Sequence, residues 1–66
     1  DTIAARIRVR LAERGWSQHH LSEVAGLGAL DLSRRMTGRP DWRSRELYAI
    51  AGALDLSLIE LLPPSP

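Results

Sequence analysis

Apolar and polar positions alternate along this chain with a helical rather than a strand period. Ile3, Ile7 and Leu11 recur four residues apart with Ala4 beside them, which predicts a first helix from about Ile3 to Arg14. Thr2 is placed to cap its start, and Gly15 supplies a left-handed exit. Val9 lies off the apolar stripe and is expected at its edge. Ser17 is placed to cap a second helix, with Trp16 before the cap and Leu21 after it in the positions of a hydrophobic staple. Leu21, Val24 and Ala25 then form its expected buried face, and Gly26 ends it. Leu27 is expected to plug the core between the second and third helices. Gly28 is a weak cap for a third helix from about Ala29 to Thr37, whose inward residues are Leu32 and Met36. Gly38 ends it, and Pro40 bars continuation.

A fourth helix is expected to start between Asp41 and Ser44 and to reach Leu54, because Leu47, Ile50, Ala51 and Leu54 keep the helical period. Trp42 is expected to close the core near its start. Ser57 and Glu60 have the spacing of a capping box for a last helix through Leu62, stopped by Pro63 and Pro64. The pattern thus predicts an all-α bundle of five helices. Residues 1–62 form one domain, and 63–66 a proline-rich tail or the start of a linker.

Length and composition narrow the picture. A chain of 66 residues makes one domain with one small core. It has no cysteine, hence no disulfide and no thiolate metal site. No apolar run is long enough for a membrane span, and no signal-peptide pattern is visible. A chain starting at Asp1 has lost an initiator methionine or been cut from something longer. Adjacent His19 and His20 point about 100° apart on a helix. With no cysteine to complete a site, they do not suggest zinc, which needs three or four converging ligands. No residue set is placed to form a catalytic cleft, so neither an enzyme nor a cofactor is expected.

The formal net charge is only +1, but its distribution is uneven. All nine basic residues are arginine. Arg6, Arg8, Arg10 and Arg14 lie near the start, Arg34, Arg35, Arg39, Arg43 and Arg45 in the middle, and none follows. A basic patch attracts phosphate even when the overall charge is near neutral. Arginine also forms bidentate pairs with phosphate and with guanine. Residues 17–38 read as two short helices joined by a tight link. Such a pair can present one helix to the DNA major groove while the other braces it.

The order of these pieces resembles the Cro/C1-type helix-turn-helix domain, the five-helix DNA-binding domain of phage repressors and many bacterial regulators. The resemblance rests on Ser17-Gln18 opening the second helix and on the Ala25-Gly26-Leu27 turn. It continues through Leu32 followed by Ser33-Arg34, Gly38 closing the third helix, and the run from Leu47 to Leu61. Two positions depart from the family pattern. Gly28 stands where a Ser or Thr cap is usual, and Arg35 stands in a common aliphatic slot, which Met36 fills only if the helix end rotates slightly.

The resemblance implies a compact λ-repressor-like bundle that binds double-stranded operator DNA, with residues 29–37 in the major groove. Ala29, Leu30, Ser33 and Arg34 are then expected at base edges. Ala29 and Leu30 would meet thymine methyl groups, with Leu30 alternatively packing at the edge of the core, and Arg34 would meet a guanine or, alternatively, clamp a phosphate. Gln18, His19, Arg35, Arg39 and Arg43 are expected at phosphates, His19 more strongly when protonated. Arg45 is expected to pair with Glu46 or to point away, and Arg8, Arg10 and Arg14 are weaker candidates. Asp31 suits the positive start of the third helix, the alternative being acceptance from a cytosine amino group. The alternative is a helix-turn-helix fold used as a protein-interaction module, for which an exposed Leu30 would speak. A homodimer or an additional C-terminal domain is expected from the apolar residues near the end. The implied location is the bacterial cytoplasm or nucleoid, with a phage or its host as the source.

Overall fold

The computed structural model describes residues 2–38 and 42–62. Arg39, Pro40, Asp41 and the tail 63–66 lie outside the described residues, and with them the contact expected of Arg39. Four helices form where the apolar period predicts them: α1 (Ile3–Arg14), α2 (Gln18–Ala25), α3 (Ala29–Thr37) and α4 (Ser44–Ala53). Among the described residues the fifth element is a single 3-10 turn, Leu58–Glu60, rather than the α-helix expected through Leu62. Its cap is the predicted one, since Glu60 Oε2 accepts from the Ser57 N–H at 2.8 Å. Too few residues separate that cap from Pro63 for an α-helix to propagate, and a residue before proline avoids α geometry.

Local chemistry fixes the ends of the first two helices. Thr2 Oγ1 accepts from the Ala5 N–H at 3.1 Å, and Ser17 Oγ from the His20 N–H at 3.0 Å. Gly15 and Gly26 both take the left-handed conformation, at φ 68° and 73°. Each closes its helix with two backbone bonds, Gly15 to Ala12 and Trp16 to Leu11, then Gly26 to Glu23 and Leu27 to Ser22.

The core gathers Ile7 and Leu11 from α1, Leu21 from α2, Leu32 and Met36 from α3, Ile50 and Ala51 from α4, then Leu54 and Leu61. Trp16, Leu27, Trp42 and Leu56 are half-buried against it. The staple and plug roles of Trp16 and Leu27 fit this packing. Val24 does not join the core: it is 48% exposed, and Ser22 is buried in its place. The inward face of the short α2 runs through Leu21, Ser22 and Ala25, and Ser22 satisfies its hydroxyl on the His19 carbonyl at 2.6 Å. Helix α2 packs on both α3 and α4, α1 packs on α3, and the 3-10 turn packs on α4.

Candidate nucleic-acid interface

Helix α3 turns one face to the core and the other outward. At about 100° per residue, Arg34 lies opposite the midpoint of buried Leu32 and Met36. Leu30 and Thr37 lie next to it on one side, and Ser33 and Ala29 lie further round the same way. Leu30 is 63% exposed, Ala29 and Arg34 are exposed, and Ser33 is half-buried. The four residues expected at base edges therefore share one side of one helix. Nine residues make α3 about 14 Å long, a length suited to a major groove about 12 Å wide.

The start of α2 is a second element of the site. Ser17 takes the His20 N–H, which leaves the N–H groups of Gln18 and His19 without an acceptor inside the helix. Half-buried Gln18 and exposed His19 thus sit where an anion is favoured. His19 Nε2 lies 3.8 Å from Glu23 Oε1, so a carboxylate competes for it. The His20 ring instead meets Trp16 edge-on, with centroids 4.7 Å apart. The start of α3 has no side-chain cap at Gly28. Asp31 folds back toward it, and a methyl group added at Gly28 would lie 3.3 Å from Asp31 Oδ2. Asp31 thus lies in the first turn of α3, where the positive helix end favours a carboxylate.

The arginines divide into two groups. Those of α1 have partners inside the domain, and three of them reach the C-terminal ends of other elements. Arg8 Nη2 donates to the Met36 carbonyl of α3 at 2.7 Å, and Arg14 donates to the Leu54 carbonyl at the end of α4. Arg6 reaches the Glu60 carbonyl of the 3-10 turn at 3.4 Å. Arg14 also lies over the Trp16 ring, and Arg10 pairs with Glu13 at 3.2 Å. Among the described residues, Arg34, Arg43 and Arg45 have no ion pair and no hydrogen bond donated by the side chain.

Arg35 behaves differently from its neighbour. Its Nε donates to Glu46 Oε1 of α4 at 3.2 Å, so Glu46 pairs with Arg35 and not with Arg45. The same Oε1 accepts the Arg43 backbone N–H at 2.9 Å. Burial alone would push the Glu46 carboxyl up, but the bonds from Arg43 and Arg35 and the charges of both hold it below the ordinary range. Sequence reasoning did not single out Glu46 as a site residue. The signal available was a glutamate in the first turn of a predicted helix, three residues after Arg43.

Among the described residues no group of three His, Cys, Asp or Glu side chains could hold a metal ion. No described helix is long and apolar enough to cross a membrane. A family model described as a Cro/C1-type HTH DNA-binding domain matches residues 6–66. No curated protein and no solved structure matches the chain.

Proposed function

The chain belongs to the Cro/C1-type helix-turn-helix DNA-binding domain family, and on that premise we propose how it reads its operator. Its function is sequence-specific binding of double-stranded DNA, of the repressor type, and not catalysis. Helix α3 enters the major groove, while the start of α2 meets the phosphate backbone. Ala29, Leu30, Ser33 and Arg34 face the base edges. Gln18, His19 and Arg43 hold phosphates, and Arg35 joins them through its Nη groups while its Nε stays on Glu46. Arg39 is assigned a phosphate by its place just after Gly38. We read the 3-10 turn Leu58–Glu60 as the counterpart of the fifth helix of a λ-repressor-like bundle.

The observation that carries this reading is Arg34. It is exposed on the outermost line of α3, beside exposed Leu30, with no ion pair or hydrogen bond of its side chain among the described residues. A cation so placed suits a bidentate pair with guanine O6 and N7. Selection of bound sequences from random duplexes tests the function directly. Arg34→Ala should then weaken the selected duplex by about 1–3 kcal/mol while hardly changing nonspecific binding. An equal loss on all sequences would reduce Arg34 to a phosphate anchor, and no loss would remove it from the site.

Exposed Ile59 and Leu62 support a further contact, with a second copy or with a C-terminal domain. A dimer would read half-sites about one helical turn apart. Titration of the selected duplex for stoichiometry separates the two. The bacterial cytoplasm or nucleoid is the setting in which such an operator would be met.

A further inference from the structure

Glu46 is only 8% exposed, and among the described residues the other buried side chains are apolar apart from Ser22. A buried carboxylate is costly unless paired and hydrogen-bonded. An apolar side chain would fill the same space without that cost, and a buried ion pair is weak evidence for stability. Its better-attested use is to fix one arrangement of the parts it joins. Here those parts are clear. Through one oxygen, Glu46 takes Arg35 Nε from α3 and the backbone N–H of Arg43, the residue that opens α4. Arg35 and Glu46 are sheltered, with side chains 23% and 11% exposed, so solvent weakens the pair less than at an open surface. Arg34 precedes Arg35 on α3, and the Arg43 side chain leaves the backbone that Glu46 holds. The carboxylate therefore sets the spacing between two cations that are open to an outside anion.

We infer that Glu46 is a positioning residue for DNA recognition: by holding Arg35 and the Arg43 backbone on one oxygen, it keeps α3 and the start of α4 where Arg34 and Arg43 meet the same duplex. This rests on the DNA reading above. It has a consequence of unusual sign. Removing a carboxylate makes the surface more positive, and charge alone would then tighten binding to every duplex. Loss of positioning weakens only the binding that depends on the correct arrangement.

The experiment uses the full chain, Glu46→Gln, the selected duplex and a scrambled duplex, with affinities from fluorescence anisotropy and folding checked by circular dichroism. Glutamine keeps the volume and an acceptor for the Arg43 N–H but loses the charge that holds Arg35. Affinity for the selected duplex should fall about tenfold, while the scrambled duplex binds as well or better. Should Glu46→Gln not fold, Glu46→Asp keeps the charge but is one methylene too short to serve Arg35 and Arg43 together, and the same loss of discrimination is expected. Discrimination kept in full, or an equal weakening on both duplexes, overturns the proposal. A wild-type chain that selects no duplex overturns the DNA reading and this proposal with it. A selective wild type beside an equally selective variant overturns the proposal alone.

Discussion

Replacing Arg8 by methionine should destabilise the domain by about 2–3 kcal/mol, although Arg8 is an exposed residue of α1. Helices α1 and α2 each end on a left-handed glycine with two backbone bonds, whereas among the described residues α3 ends on Gly38, which is not left-handed, with one, to the Arg34 carbonyl at 2.8 Å. Arg8 supplies what is missing, a charged donor on the Met36 carbonyl at 2.7 Å. A hydrogen bond from a charged group contributes about 1.5–3 kcal/mol net. The lower half applies here, because water can reach the Met36 carbonyl once the guanidinium is gone. Loss of a cation near the negative helix end adds about 0.3–1 kcal/mol at low salt. Methionine keeps most of the apolar stem, so packing changes little. Urea unfolding followed by circular dichroism measures the loss, which corresponds to a melting temperature lower by roughly 4–8 °C per kcal/mol for a domain of this size. Arg45→Met is the control: Arg45 is exposed with no such bond, so its change should stay within about 0.5 kcal/mol. Arg8→Lys should recover part of the loss through its charge. Equal stability of Arg8→Met and Arg45→Met would refute the capping argument.

Other expectations concern the core, a turn and acid. Leu21 has no exposed surface, so Leu21→Ala should cost about 2–5 kcal/mol, enough to leave much of so small a domain unfolded by circular dichroism at body temperature. Gly26→Ala meets no atom within 4 Å but imposes a side chain at φ 73°, and thermal melting should show a loss of about 1 kcal/mol from backbone strain alone. The Glu60 carboxyl is held below its ordinary range by the Ser57 backbone and hydroxyl donors, and Glu46 is lowered as well. A carboxylate lowered in the folded state stabilises it above the unfolded value of about 4.3, and that contribution fades as pH falls through the folded value. The urea midpoint should therefore drop as pH falls from about 5 toward 3, and less steeply for Glu46→Gln; an unchanged slope in the variant would speak against a charged Glu46 in the folded protein.

What the chain reveals by inspection is what local chemistry decides. Thr2, Gly15, Ser17 and Gly26 delimit α1 and α2 because each acts on a backbone group within a few residues of itself. The outward row of α3 follows from Leu32 and Met36 for the same reason. Val24 misled because the rotation of an eight-residue helix is set by its neighbours, and the small hydroxyl of Ser22 fits between α2 and the rest once it has the His19 carbonyl. Arginine partners were out of reach altogether. Periodicity does not indicate that Arg8 ends beside Met36, or that Arg35 rather than Arg45 takes Glu46. Those pairings depend on how separate helices pack, and only the arrangement of α1, α3 and α4 reveals that arginines at the start of the chain cap the protein itself and leave Arg34, Arg43 and Arg45 exposed.

The three α1 arginines that reach other elements bond partners 28, 40 and 54 residues away in the chain. Most contacts in a helical domain are local, and such domains fold fast for that reason. These three are not, and each ends on a carbonyl that forms part of the last turn of its element. A ribosome delivering the chain from its first residue releases α1 long before those carbonyls exist. Arg8 gains its carbonyl once α3 has emerged, Arg14 gains its own only after α4, and the Glu60 carbonyl that Arg6 reaches comes last. Completion of the domain is therefore tied to the arrival of its final turn, and an interrupted translation product that stops after α3 lacks two of the three clasps that close α1 onto the fold.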